Sequence, residues 1–296
     1  MYKLGLDIGG TKINIGILDS DYQLLAVKKL YISEVFDPLS QIRSATQELC
    51  CKCGIPYQDI ISCGVGVPGT VSADGKTLIK APNISILSED FAIKLEKELG
   101  MPVFMMQDSR AAALGEYLCG AGRGAKTLVC ITLGTGVGSG IVIDGKIYNG
   151  ALGAAGEIGH IPVVVNGRPC GCGQSGCMEK YCAGRGLDIT AQELYGQDKD
   201  ASFLFDCAEQ GDMAAQEALN QAIVLLGNAL VFVVNLLSPD CILFTGGLSE
   251  RTKQYVNPVI DYVCSHCYCS GQLPRMQKAA LAEYAPLIGA ALGENA

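Results

Sequence analysis

Short apolar runs bounded by glycine recur along this chain, and their spacing sets its architecture. Residues 3–8 and 13–18 are strand-like and are joined by Gly9-Gly10-Thr11-Lys12, which predicts a β-hairpin. A third strand is expected over 23–32, a helix over 38–52, and a buried strand from residue 60 that breaks at Val67-Pro68-Gly69. A helix over 88–99, a buried strand over 103–106 and a helix opening at 111 follow. The plan of the first hairpin, strand, glycine and threonine turn, then strand, returns over 129–143. Beyond it the pattern predicts helices over 186–195, 202–210 and 212–237, the last capped by Asp212 and stopped by Pro239. A strand over 241–244, a helix over 252–264, a strand near 278–281 and a helix over 285–292 complete the chain. Strands alternating with helices make this an α/β protein.

With 296 residues, two domains or one large α/β unit are expected. The repeated hairpin suggests two related domains, 1–118 with a returning C-terminal helix at 284–296, and 119–283. Lys and Arg total 22 against 30 Asp and Glu, a net charge of −8, which argues against nucleic acid or an anionic membrane as partner. Met1-Tyr2-Lys3 passes directly into the first strand, so no leader is read and a cytoplasmic protein is expected. The apolar run 222–237 is short for a bilayer and is interrupted by Asn228 and Asn235, so it reads as a buried helix. In a reducing compartment the 15 cysteines are thiols or metal ligands.

Four of these potential ligands stand together in sequence. His160, one of only two histidines, precedes Cys170, Cys172 and Cys177, and this Cys3His set supplies the donors of a closed, structural zinc site. Glycines between the cysteines let the backbone wrap one ion. Glu157 and Glu179 bracket the cluster, so a metal-pinned loop would present carboxylates to a polar ligand. Cys50, Cys51 and Cys53, and Cys264, Cys267 and Cys269, read as ordinary thiols rather than a second site.

The glycine turns carry a second chemistry. Backbone N–H groups followed by a hydroxyl and an ammonium, as in Gly9-Gly10-Thr11-Lys12, suit phosphate oxygens, and Asp7 stands where magnesium or its water shell would join them. Neither turn is a Walker loop, because no Gly-Lys-Ser/Thr ends a helix-opening glycine run. The strand ending at residue 106 delivers Gln107 and Asp108 to the usual place for chemistry in an open α/β sheet. Asp108 could equally be a helix N-cap, and the residues alone leave both open. Gly246-Gly247 after the 241–244 strand could admit a flat nucleoside or be a plain turn.

Taken in order, Asp7 to Lys12, Gln107-Asp108, Leu133 to Gly138, Gly156 to His160 and Cys170 to Glu179 resemble the ROK family of repressors, open-reading-frame proteins and sugar kinases, over essentially the whole chain. The resemblance implies an actin-like, ribonuclease-H-like fold of two α/β domains with a cleft between them, and a homodimer. It implies an ATP- and magnesium-dependent kinase in which Asp108 is the general base for a hexose hydroxyl, usually that on C6. By the same resemblance Gly9, Gly10, Thr11, Lys12, Thr132, Gly134, Thr135 and Gly136 bind ATP phosphates, Asp7 assists magnesium, and Gly246 and Gly247 line the nucleoside pocket. Gly69, Asn83, Gln107, Glu157, His160 and Glu179 would face the sugar, with zinc held by His160, Cys170, Cys172 and Cys177.

Repressors of the family carry a DNA-binding segment ahead of the first glycine turn, which here begins at residue 9, so a kinase is expected. A non-catalytic sugar sensor is the alternative. Glucokinases of the family usually have Asn where this chain has Gln107, and a tryptophan that this chain lacks altogether. Both departures resemble the allose-kinase branch, as do Ile161-Pro162 and Cys182. Glucose and allose are therefore the leading sugars, ahead of fructose and N-acetylated hexosamines.

Overall fold

The structure, a computed structural model, describes residues 1–80, 84, 86–268 and 271–293. The chain divides into two compact units, one of Met1–Gly124, Gly140–Ala155 and Ala280–Ala296, the other of Ala125–Ser139 and Gly156–Ala279. The first boundary falls later than the expected 118/119, and 140–155 joins the first unit. The reason lies in the exit of the helix that ends at Cys119. Glu116, fully buried, accepts from the N–H groups of Ala121 at 2.9 Å, Ala280 at 3.0 Å and Leu281 at 2.6 Å, which keeps these segments in one unit.

In the first unit β1 (Tyr2–Ile8), β2 (Lys12–Leu18), β3 (Leu24–Tyr31), α1 (Pro38–Cys53), β4 (Ile60–Val67), β5 (Thr70–Val71), β6 (Leu78–Lys80), α2 (Phe91–Leu99), β7 (Val103–Gln107) and α3 (Asp108–Cys119) follow in order. Five strands form one sheet, β3-β2-β1-β4-β7, with β1 antiparallel to β2 and parallel to β4, and β4 parallel to β7. The period of two in β1 explains the layering. Leu4, Leu6 and Ile8 enter a core shared with Ile42 and Leu49 of α1 and Phe91 and Leu95 of α2. Gly5 and Gly64 instead meet the final helix, where a Cβ on Gly64 would lie 1.8 Å from the Ala290 carbonyl oxygen. Only a residue without a side chain permits that approach.

The second unit begins with β8 (Thr127–Leu133) and β9 (Val137–Ile143), and the chain crosses back to the first unit within β9. After β10 (Lys146–Ile147) come α4 (Glu179–Cys182), α5 (Gly184–Tyr195), α6 (Ala201–Glu209), α7 (Met213–Leu237), β11 (Cys241–Thr245), α8 (Asn257–His266), β12 (Arg275–Lys278) and, in the first unit, α9 (Ala285–Leu292). The second sheet has the order β10-β9-β8-β11-β12, with β11 parallel to β8 and β12. Asp212 caps α7 as expected, accepting from Ala214 N at 2.9 Å and Ala215 N at 3.0 Å. By length and composition α7 could cross a membrane, but half of its most apolar window is buried in the fold.

In the second unit β12 and the helix before it differ from expectation. β12 occupies Arg275–Lys278 rather than 278–281, its ends set by Arg275 N on the Asp240 carbonyl and Ala279 N on the Phe244 carbonyl. The helix expected over 252–264 opens as a π turn, Thr252–Val256, before α8. Pro258 has no N–H to return to residue 254, so the α-helical register cannot run through it.

Candidate functional site

The carboxyl rim of the first sheet gathers one group of candidate residues. Strand register aligns Asp7 with Gly66 and Gly66 with Met106, so β1, β4 and β7 end together and deliver Asp7, Gly69 and Gln107-Asp108 to one edge. The first glycine turn closes as a hairpin, Gly9 N donating to the Lys12 carbonyl at 2.9 Å. α3 opens at Asp108 itself, earlier than 111, with Gln107 in the extended N-cap position. Asp108 is therefore the first helical residue and not the N-cap, and its Oδ1 accepts from Ser109 N at 2.7 Å. Asn83 lies outside the described residues.

Two polar residues absent from the sequence reading belong to this rim. Asn14, fully buried in β2 opposite Asp7, donates from Nδ2 to Asp7 Oδ2 at 3.1 Å, and its Oδ1 has no protein partner among the described residues. Burial pushes the Asp7 carboxyl up to about 6, against the Asn14 hydrogen bond and the Lys12 charge that pull it down. Glu283 is the other. It receives Lys12 Nζ at 2.6 Å and Lys29 Nζ at 2.9 Å, and these two ammonium groups hold its carboxyl below its usual range. The Lys12 pair is exposed at both ends, so opening it costs little. Beside Asp108, Arg110 ties the start of α3 to 149–155 through Asn149 Oδ1 at 3.0 Å and the Gly153 carbonyl at 2.7 Å.

The second unit assembles the other group. Its glycine turn is closed by Gly134 N on the Gly136 carbonyl at 3.0 Å, and Thr132 Oγ1 just before it is buried with no protein partner among the described residues. Register places Thr245 of β11 beside Thr132, so Gly246-Gly247 leave the sheet next to that turn. Residues 156–160 run along the start of β9, where Ser139 Oγ donates to the Gly156 carbonyl and a Cβ on Gly159 would lie 2.1 Å from the Val137 carbonyl oxygen. Glu157 is exposed and His160 half-buried on this segment.

His160, Cys170, Cys172 and Cys177 do come together, their ligand atoms all within 4.8 Å of one another. Cys170 Sγ stands 3.6 Å from His160 Nδ1 and Cys172 Sγ 3.6 Å from Cys177 Sγ. Three thiols and an imidazole at this mutual distance fit tetrahedral zinc. Burial pushes the Cys170 thiol up to about 12, while the Gln174 N–H holds Cys172 below its ordinary value. Cys170 Sγ also donates to Glu179 Oε1 at 3.1 Å, and Glu179 Oε2 lies against the glycine turn, 2.9 Å from where a Cβ on Gly136 would stand. Among the described residues no second group of this kind occurs, and Cys269 lies outside them.

Two sheets whose parallel strands end in like glycine turns, one rim carrying Asp7 and Asp108 and the other a thiol-anchored loop, define an α/β fold of the actin-like class. The chain belongs to the ROK family, whose sequence profile matches residues 3–293. It is similar to the glucokinase of Streptomyces coelicolor, 32% identical over 274 residues that cover 86% of this chain and 85% of the relative. It is also similar to the N-acetylgalactosamine kinase AgaK of Shewanella sp. (strain ANA-3), 32% identical over 297 residues covering 97% and 95% of the two. Among solved structures it is similar to a ROK family glucokinase from Streptomyces griseus in complex with glucose and AMPPNP, with a TM-score of 0.80, 31% identity and 98% of each chain covered. The fold implied by the sequence resemblance is thus the one found.

Proposed function

We propose that this protein is an ATP- and magnesium-dependent hexose kinase that phosphorylates the C6 hydroxyl, with Asp108 as general base. The observation that carries the reading is the convergence of Asp7, the 9–12 turn and Asp108 on one sheet rim, matched by the 134–136 turn on the rim of the other sheet. Family membership and relatives that are kinases of glucose and of N-acetylgalactosamine support it.

In this reading the N–H groups of Gly9, Gly10, Thr11, Gly134, Thr135 and Gly136, with the Thr132 hydroxyl, hold the phosphates, and Lys12 leaves Glu283 to pair with them. Magnesium, when bound, neutralises phosphate charge. Asp7, oriented by Asn14, orders its water shell. Gly246 and Gly247 flank the nucleoside. Asp108 takes the proton from the sugar hydroxyl as its oxygen attacks the γ-phosphoryl group, and positioning supplies most of the acceleration. Gly69, Asn83, Gln107, Glu157, His160 and Glu179 orient the sugar. Zinc on His160, Cys170, Cys172 and Cys177 fixes the loop that leads to Glu179 and has no part in the chemistry.

Glucose and allose lead as substrates. The relatives favour glucose and N-acetylated hexosamines, whereas Gln107, one methylene longer than the amide usual in glucokinases, favours a changed ring epimer. Discrimination of this kind rests on a few hydrogen bonds to sugar hydroxyls. ADP release from ATP and magnesium, measured against glucose, allose, mannose, fructose, N-acetylglucosamine, N-acetylgalactosamine and N-acetylmannosamine, tests the proposal. One sugar well above the rest is the expected result. Silence across the panel with folded, zinc-loaded protein would overturn the kinase reading in favour of a sugar sensor.

A further inference from the structure

Arg168 stands outside every group above, yet its side chain is one of the most fully engaged in the second unit. Nη1 donates to the carbonyls of Lys180 at 2.9 Å and Gly186 at 3.0 Å, and Nη2 to Thr190 Oγ1 at 3.0 Å and to the Glu193 carboxylate. The guanidinium stacks over Tyr181, 4.9 Å from the ring centroid, while the Arg168 backbone N–H donates to Tyr181 Oη at 2.6 Å. Only 18% of the side chain is exposed. A planar fork of donors meets this set of acceptors, and a lysine ammonium would not.

These contacts join three parts of the site. Arg168 lies two residues before Cys170, and its carbonyl accepts from Gly176 N at 2.9 Å, so it belongs to the cysteine loop. Lys180 follows Glu179 in α4, whereas Gly186 and Thr190 lie on α5. The first N–H groups of α5, those of Gly184 and Arg185, donate to the Gly134 and Thr135 carbonyls at 2.9 and 3.2 Å. A short series of hydrogen bonds therefore runs from the cysteine loop through one guanidinium to the second glycine turn.

We propose that Arg168 is a positioning residue that sets the spacing between Glu179 and the 134–136 turn, acting through α5. The meaning of that spacing, sugar side against phosphate side, rests on the hexose-kinase reading. The link itself does not, because it is made of contacts within one unit. The two backbone carbonyls carry it, since the Glu193 pair is exposed at its carboxylate end and such pairs contribute little.

Amide hydrogen exchange of the full, zinc-loaded chain tests this without substrate. Arg168→Met should speed exchange about tenfold or more in peptides covering 134–136 and 184–187, with β11 unchanged. Arg168→Lys should behave like Arg168→Met, and Glu193→Gln like the wild type. In the kinase assay Arg168→Met should raise KM for both ATP and sugar about tenfold with kcat reduced less than about threefold. Wild-type exchange at 134–136 in Arg168→Met, full rescue by lysine, or an equal rise in β11 would each overturn the proposal, the last by making Arg168 a residue of general stability. A protein inactive on every sugar would sink the kinase reading while the exchange pattern still decided this one.

Discussion

One oxygen of the Glu179 carboxylate accepts from the Cys170 thiol at 3.1 Å, and the other fills the space where Gly136 would carry a side chain. A methyl group at 136 meets only the end of a flexible side chain, so Gly136→Ala should fold normally. It should displace Glu179 and raise KM for the sugar about tenfold. Unchanged KM with an unaltered melting temperature would show that Glu179 does not orient the sugar.

Asp108→Asn keeps the shape of the side chain and removes the base. Turnover should fall at least about a hundredfold while sugar affinity, followed by thermal shift, changes little. Near-normal kcat would exclude Asp108 as the base.

The metal assignment gives an expected content of about one zinc per chain by atomic spectroscopy. Cys172→Ser should abolish it and with it sugar binding, because the loop leading to Glu179 loses its anchor. Metal-free protein with full activity would refute the assignment.

Asp7 has a folded-state carboxyl pushed up to about 6 from an ordinary 3.8, so the unfolded chain releases this proton first as pH rises. Stability contributed by the neutral form is present below about pH 4 and lost through about pH 6. Asp7→Asn should therefore match the wild type at pH 4 and exceed it by about 1–3 kcal/mol above pH 6 in ligand-free denaturant titrations. The same variant should bind magnesium–ATP more weakly, the reverse of its effect on stability.

Glu116 satisfies three backbone donors at once in a fully buried position. Glu116→Gln sets an NH2 group against one of those N–H donors and should cost roughly 2–4 kcal/mol in chemical denaturation. A loss below about 0.5 kcal/mol would mean that water replaces the carboxylate.

Much of the fold could be read from the chain because its signals are local. Alternation in β1 and β2, the glycine turns and the Asp212 cap all act within a few residues, and each is where expected. The cysteine cluster was legible for the same reason. Asn14, Glu116 and Arg168 were not, although each is a polar residue in apolar or glycine-rich surroundings, which is the signal that could have exposed them. Their partners are fixed by tertiary structure: Glu116 bonds to Leu281, 165 positions away. That 140–155 groups with the first unit was not legible on the same ground, because it does so through contacts such as Arg110 with Asn149. Asp108 stands at the end of β7 as expected, but whether it capped the helix turned on one residue of helix phase that the alanine-rich run 111–113 does not define.

The packing of α9 on Gly5 and Gly64 bears on how this protein is made. β1 and β4 leave the ribosome before residues 156–279 and α9 after them, so the first sheet waits through the synthesis of that whole stretch for the helix that covers one of its faces. Until then the glycine-lined surface of β1 and β4 stays open to other chains, whereas both segments of the second unit, 125–139 and 156–279, have been made before α9. Non-local closure of this kind is slow and exposes intermediates to aggregation. A chain stopped before Ala285 should therefore accumulate as insoluble protein even though every residue of both sheets is present.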